Sequence, residues 1–168
     1  MDTQATIRTY VDTDLMACRR LWVELTEWHR TIYESPSIGG DRPELQFDAL
    51  LDDVGPERIW LAELEGEVVG LTGLVLEGDQ GELEPLVVSP EARGNGIGRM
   101  LAERVIQKAR ARGVRQLSVR PVGRNASAIG FFHHLGFDII GQIELFIDLT
   151  GHDRWRSGEQ VAGRPFRV

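Results

Sequence analysis

The chain has 168 residues, 42% of them hydrophobic, and carries 26 acidic against 19 basic side chains, a formal net charge of −7. Material of that size folds as one domain that buries roughly 70% of its unfolded surface without disulfide or metal support, and the acidic balance excludes a nucleic-acid binder, whose affinity rests on basic surface. No apolar run reaches the roughly 18 residues of a membrane span, and Met1-Asp2-Thr3 opens no basic and apolar leader, so the expectation is a cytoplasmic protein.

In chain order, residues 5–10 alternate as a strand does, and Asp12 or Thr13 is placed to cap a helix whose apolar positions Leu15, Cys18, Leu21, Trp22, Leu25, Trp28, His29 and Ile32 follow the 3.6-residue period. Cys18, the single cysteine, lies in that stripe and reads as a small buried hydrophobe rather than a nucleophile. Residues 35–43 are rich in Pro and Gly and form a loop; 44–53 read as a shorter helix that Gly55-Pro56 ends. Residues 58–64 and 67–76 are strands joined by Glu65-Gly66, and Gly78 to Gly81 turns into a strand over 82–88, which makes an antiparallel meander. Ile97, Leu101, Val105 and Ala109 mark a helix ending near Gly113. A strand over 114–120 follows, then a short helix that Asn125 caps and Gly136 stops. Phe137 to Leu149 is rich enough in Ile, Leu and Phe for one long strand or two short ones, and 150–168 has no period and reads as an arginine-bearing tail.

Charge is unevenly spread. Residues 1–60 hold twelve acids against six arginines, whereas 61–168 hold fourteen acids against thirteen bases. An acidic first third that faces a cleft attracts cations; spread over the surface, it only keeps the chain soluble.

The segment with most chemistry is Glu82-Leu-Glu84-Pro-Leu-Val-Val-Ser-Pro-Glu-Ala-Arg93-Gly-Asn-Gly96-Ile-Gly98. An apolar strand leads to an arginine and three glycines that open a helix. Arginine offers a fork of donors, glycine lets backbone approach an anion, and the helix start presents unpaired N–H groups, so the segment reads as a phosphate cradle. The P-loop is excluded because no lysine lies in the loop, and the dinucleotide fingerprint because the glycines are spaced two and two.

Leu86 to Gly98 resembles the acyl-CoA loop of the GNAT superfamily of N-acetyltransferases, whose pattern is Arg or Gln, two residues, Gly, one residue, Gly or Ala. Asn125-Ala-Ser-Ala-Ile-Gly-Phe131-Phe132-His-His-Leu-Gly136-Phe137 resembles the family's second block. The resemblance implies an α+β fold with a mixed, mostly antiparallel central sheet of six or seven strands flanked by about four helices. It places a single acyltransferase domain over 1–149 and leaves 150–168 as tail. It implies acetyl-CoA as acyl donor with no metal, and a homodimer as the common assembly. Arg93, Gly94, Asn95, Gly96, Ile97, Gly98 and Arg99 are expected at the pyrophosphate; the backbone of Leu86, Val87 and Val88 should splay from the next strand, pair with the pantetheine arm and polarise the thioester; Asn125, Ser127 and Phe132 should meet the arm from the other side.

Attack on the thioester requires a neutral amine, and at pH 7 a lysine-like group is charged in all but roughly one molecule in a thousand. A base is needed. Glu82 and Glu84 lie two apart on a strand and so share a face, and either carboxylate can take the proton; the competing role for each is a pairing with a surface arginine. Many relatives place a tyrosine at the second aromatic of the helix block to protonate the departing thiolate, and here that position is Phe132. Water, Tyr33, His133 and His134 are the substitutes the sequence offers. The acceptor site is expected from the first helix, the loop at 35–43 and the last strand: Trp28, His29, Tyr33 and Glu34 precede that loop, and aromatic and acidic groups suit an ammonium. The expected reaction is acetyl transfer to a small cationic amine in a ternary complex. A protein lysine or N-terminus is the next acceptor, and a non-catalytic acyl-CoA-binding module the alternative of a different class.

Overall fold

A computed structural model describes residues 4–151 and 155–168; the reading of Met1 to Thr3 and tail residues 152–154 lie outside them. The central sheet follows the order β1 (Thr6–Thr9), β2 (Ile59–Leu64), β3 (Glu67–Glu77), β4 (Gln80–Val88) and β5 (Gln116–Ser118). The first four strands pair antiparallel and β5 joins β4 parallel. The meander of β2, β3 and β4 follows from its turns: Gly66 and Gly78 adopt positive φ (83° and 61°), which glycine reaches without steric cost.

Alternation along the strands divides the core between two helical layers. Helices α1 (Leu15–Tyr33) and α2 (Leu45–Val54) cover one face, where Cys18, Leu21 and Phe47 pack on Ile59, Leu61, Leu71 and Val87. Helix α3 (Ile97–Ala111) covers the other, with Ala102, Val105 and Ala109 against Trp60, Leu74 and Leu83; α4 (Ala126–His134) adds Phe131 and Phe132 to that cluster. Cys18 has no exposed surface, and burial pushes its thiol up to about 12, as the reading of an inert hydrophobe requires.

Four local expectations need correction. Neither Asp12 nor Thr13 caps α1; residues 12–14 form a 3-10 turn in which Asp14 accepts the Val11 N–H at 2.9 Å and a two-pronged pair from Arg8 at 2.7 and 2.8 Å. That pair holds the Asp14 carboxyl below the usual carboxylate range. The strand expected at 114–120 shrinks to 116–118. Residues 137–149 form no strand, and Ile139, Ile140, Ile147 and Leu149 are exposed. Alternating apolar residues state a preference for a pleated surface, but a strand exists only where a ladder partner lies beside it. The tail, conversely, is structured: β6 (Ser157–Val161) and β7 (Arg164–Arg167) form a separate hairpin, turned by Ala162 and Gly163 at φ 51° and 71°. The fold is thus α+β with a mostly antiparallel sheet of five strands, the remaining two lying in that hairpin.

Candidate active site

The site begins with a defect in β4. Register runs Leu74 to Leu83 and then Thr72 to Leu86, so Glu84 and Pro85 together face Gly73. This is a β-bulge, which bends a strand and swaps the face that follows it. Leu83 accordingly packs in the α3 layer, while Val87, four residues on, packs in the α1 layer. Gly73 is required here because a Cβ would lie 2.6 Å from the Glu84 carbonyl oxygen. Pairing between β4 and β5 ends at Glu82 and Ser118. Beyond it β4 runs on through Leu86, Val87 and Val88 without further pairing to β5.

The cradle follows directly. Gly94 and Gly96 sit at φ 82° and 75°, Gly96 being the N-cap of α3, and the space where their Cβ atoms would stand is open. Within α3 the Met100 N–H is bonded to the Gly96 carbonyl at 3.1 Å, so the amides of Ile97, Gly98 and Arg99 form the unpaired first turn that favours an anion. Gly98 differs: its φ is not positive, and a Cβ there would meet Phe131 of α4 only in ordinary contact, at 3.6 Å. Ile97 contributes its amide only, its side chain being core. Asn95 holds the loop through the Ala92 carbonyl (3.3 Å), and Arg99 pairs along the helix with Glu103 (2.7 Å). Arg93 is exposed, its Nε on the Val88 carbonyl at 3.0 Å and its guanidinium 5.5 Å from the Trp28 ring centre.

Below the cradle a cleft of about 370 Å³ opens between α1, β4 and α4. Glu82 and Glu84 both line it, as do Leu86, Asn125 and Phe132. Glu82 is the more enclosed acid, with 13% of its side chain exposed and a 3.0 Å pair to the largely exposed Arg120. Burial pushes its carboxyl above the ordinary range and the charge of Glu84 adds to this, outweighing the opposing pull of Arg120. Glu84 is exposed at the cleft mouth. Asn125 caps α4, its side chain accepting the Ala128 N–H at 3.0 Å, and it also lines the cleft. Phe132 is packed edge-on against Phe131 and Phe137 at 5.1 and 5.6 Å.

Other named residues lie outside this lining. Ser127 is exposed on the first turn of α4. Trp28 stands against the cradle arginine. Tyr33 lies 5.7 Å from the Arg124 guanidinium, which also stacks on Trp155 of the tail, and Glu34 pairs with Arg156. Tyr33 and Glu34 therefore join the end of α1 to the loop before α4 and to the tail, while Trp28 joins it to the loop before α3. The lining also holds Trp22, Leu25, Thr26 and His29 from α1 and Gln46 from α2. His29 is among the residues that the sequence places near an acceptor, whereas Trp22 and Leu25 read there as members of the α1 stripe and also pack on the core.

The comparisons bear on this arrangement. The model of the acetyltransferase (GNAT) family matches residues 22–137, which span every residue of the cleft lining. The chain belongs to the GNAT acetyltransferase family. Among relatives of this GNAT chain, the uncharacterized N-acetyltransferase YjgM of Escherichia coli is 33% identical over 97 residues, 55% of this chain and 56% of that protein. The match thus spans little more than half of that relative's length. The peptidyl-lysine N-acetyltransferase YjaB of Salmonella typhimurium is 28% identical over 120 residues, 70% of this chain and 77% of that protein. A PaiA N-acetyltransferase of Thermoplasma acidophilum, solved in complex with coenzyme A, shares the fold with a TM-score of 0.63 at 17% identity, over 79% of this chain and 88% of that one. Among the described residues no helix is long and apolar enough to cross a membrane.

Proposed function

We propose that this protein transfers the acetyl group of acetyl-CoA to a primary amine by direct attack in a ternary complex. The observation that carries the reading is the junction at β4: one strand supplies the edge over Leu86 to Val88 that β5 does not pair, leads into the anion cradle and brings two carboxylates into the adjoining cleft. Arg93 and the amides of Gly94 to Arg99 hold the pyrophosphate by charge-assisted bonds at a helix N-terminus. The edge of Leu86, Val87 and Val88 pairs with the pantetheine arm as an added strand, and its amides polarise the thioester carbonyl. Glu82 takes the first proton from the acceptor ammonium; its raised basicity suits that task better than an ordinary carboxylate would. Glu84, at the mouth, attracts the cation and raises the basicity of Glu82.

A cleft of about 370 Å³ suits a small cationic amine. The peptidyl-lysine acetyltransferase among the relatives favours a protein lysine as the second acceptor class. Residues 1–149 form the one catalytic domain, and the tail hairpin is an attachment to it. A homodimer in a reducing cytoplasm is the assembly and setting that accompany this reading, the buried Cys18 being in keeping with the latter.

The test is release of CoA thiol from acetyl-CoA across a panel of polyamines, aminoglycosides, amino acids and lysine peptides. Thiol release with at least one of them supports the reading; none above background sinks it. If CoA binds tightly while no amine is acetylated, the protein is instead a non-catalytic acyl-CoA-binding module.

A further inference from the structure

Acetylating an ammonium requires two protons to leave nitrogen. One departs before attack and frees the lone pair. The other departs after the N–C bond has formed, and the sulfur released when the C–S bond breaks needs a proton in turn. Glu82 accounts for the first of these transfers and leaves the second without a carrier.

Of the side chains that the sequence offers for it, Tyr33, His133 and His134 do not line the cleft, and Phe132, which does, carries no proton. Phe132 has a hydrocarbon ring locked between Phe131 and Phe137. Tyr33 lies beneath Arg124 at the end of α1, and His133 and His134 are exposed at the far end of α4, His134 being bonded to its own helix at the Gly130 carbonyl (2.6 Å). His29 is different. It comes from the inward side of α1, is half-buried, and lines the same cleft as Glu82, Glu84 and Phe132.

We propose that His29 is the second proton carrier of this site, taking the proton that the acceptor nitrogen sheds after attack and returning it to the departing sulfur. The step balances: the N–C bond forms, the C–S bond breaks, one nitrogen-bound proton passes to the imidazole and on to sulfur, and the proton held by Glu82 goes to solvent. The inference rests on the acetyl transfer proposed above. The charged groups that share the cleft with His29 are Glu82 and Glu84 from β4 and Arg120 from the segment after β5. Burial lowers the basicity of the imidazole, so it stands neutral near pH 7 with a lone pair to accept a proton and little hold on it afterwards.

Three measurements test the assignment. His29→Phe keeps an aromatic ring but carries no proton; kcat should fall by about 10²-fold, the scale of one acid–base group, while calorimetric CoA affinity stays within about twofold. His29→Ala should lose a similar factor and regain part of it when imidazole is added to the buffer, which a packing role would not produce. In the unreacted wild-type protein, histidine NMR resonances assigned by these variants should show His29 titrating below the ordinary range and shifting when CoA is added, with His133 and His134 unmoved. Wild-type turnover in His29→Phe, absence of imidazole rescue, or a His29 resonance indifferent to CoA each overturns the role of His29 alone. Absence of wild-type turnover with every amine overturns the acetyl transfer and this role together.

Discussion

The two walls of the cleft are held by different kinds of contact. On the donor side, hydrogen bonds link residues close in sequence: Arg93 to the Val88 carbonyl, Asn95 to that of Ala92, Met100 to that of Gly96. On the acceptor side, at the end of α1 just beyond the cleft lining, they link distant ones, as where Arg124 reaches the Ile32 carbonyl at 3.2 Å or Glu34 pairs with Arg156 of the tail. A wall made locally is set by one segment and keeps its chemistry wherever that segment folds. A wall assembled from the end of α1, the loop before α4 and the tail changes whenever any one of them does, and under the proposed function it is where acceptor choice would be tuned.

The sharpest break between the walls comes from the acids that stand where they meet. Glu82→Gln with Glu84→Gln should lower kcat by about 10²- to 10⁴-fold, as expected for loss of a general base, and leave calorimetric CoA affinity within about twofold. Comparable losses in both quantities would mean that the acids support the donor wall rather than the chemistry. For the wild-type protein the base works ionised, and its folded-state pKa is raised, so turnover is retained at higher pH and lost as pH falls through that raised value. The acid limb of the rate profile should therefore lie above the ordinary carboxylate range, and move in Glu84→Gln toward lower pH.

Next in size is Gly73→Ala. Its Cβ would meet the Glu84 carbonyl at 2.6 Å, and backbone cannot yield as a side-chain tip does. A loss of about 2 kcal/mol in urea denaturation is expected, within the usual range for overpacking, together with weaker CoA binding because the bulge shapes the edge of β4 over Leu86 to Val88. Undiminished stability would show that the bulge can relax. Arg93→Ala should act on the donor wall alone, weakening CoA binding by about tenfold, the lower end for a hydrogen bond to a charged group. Acceptor KM should stay unchanged unless the Trp28 stack transmits the loss across the cleft.

This contrast also explains what the sequence discloses. The meander, the Asn125 cap and the glycine cradle depend on residues a few positions apart, and each stands where the local pattern places it. The bulge is less visible: Glu82 and Glu84 do meet in one cleft, but the exchange of faces between Leu83 and Val87 comes from an extra residue opposite Gly73, which is a property of two strands. His29 is a member of a regular helical stripe and only the packing of β4 and α4 opposite it makes a cleft there. At the carboxyl end the pattern misleads in both directions. Phe137 to Leu149 has the composition of a strand and no ladder among the described residues, whereas Ala162-Gly163 turns a hairpin between flanks without apolar alternation.

The smallest effect concerns how the tail is fastened to the acceptor wall. Glu34 ends α1 at φ 52°, a left-handed conformation, and its carboxylate pairs with Arg156; the two side chains are 51% and 66% exposed. These features oppose one another. An exposed pair contributes at most about 1 kcal/mol, while a non-glycine residue in the left-handed region costs roughly 1–2 kcal/mol, part of which glycine returns as greater freedom of the unfolded chain. Arg156→Ala removes the pair and should destabilise by a few tenths of a kcal/mol. Glu34→Gly removes the pair and the conformational cost together and should be neutral to slightly stabilising in the same urea titration. If Glu34→Gly proves the more damaging of the two, the carboxylate does more than hold the tail, and its effect on acceptor KM would then show whether this end of α1 reaches the bound amine.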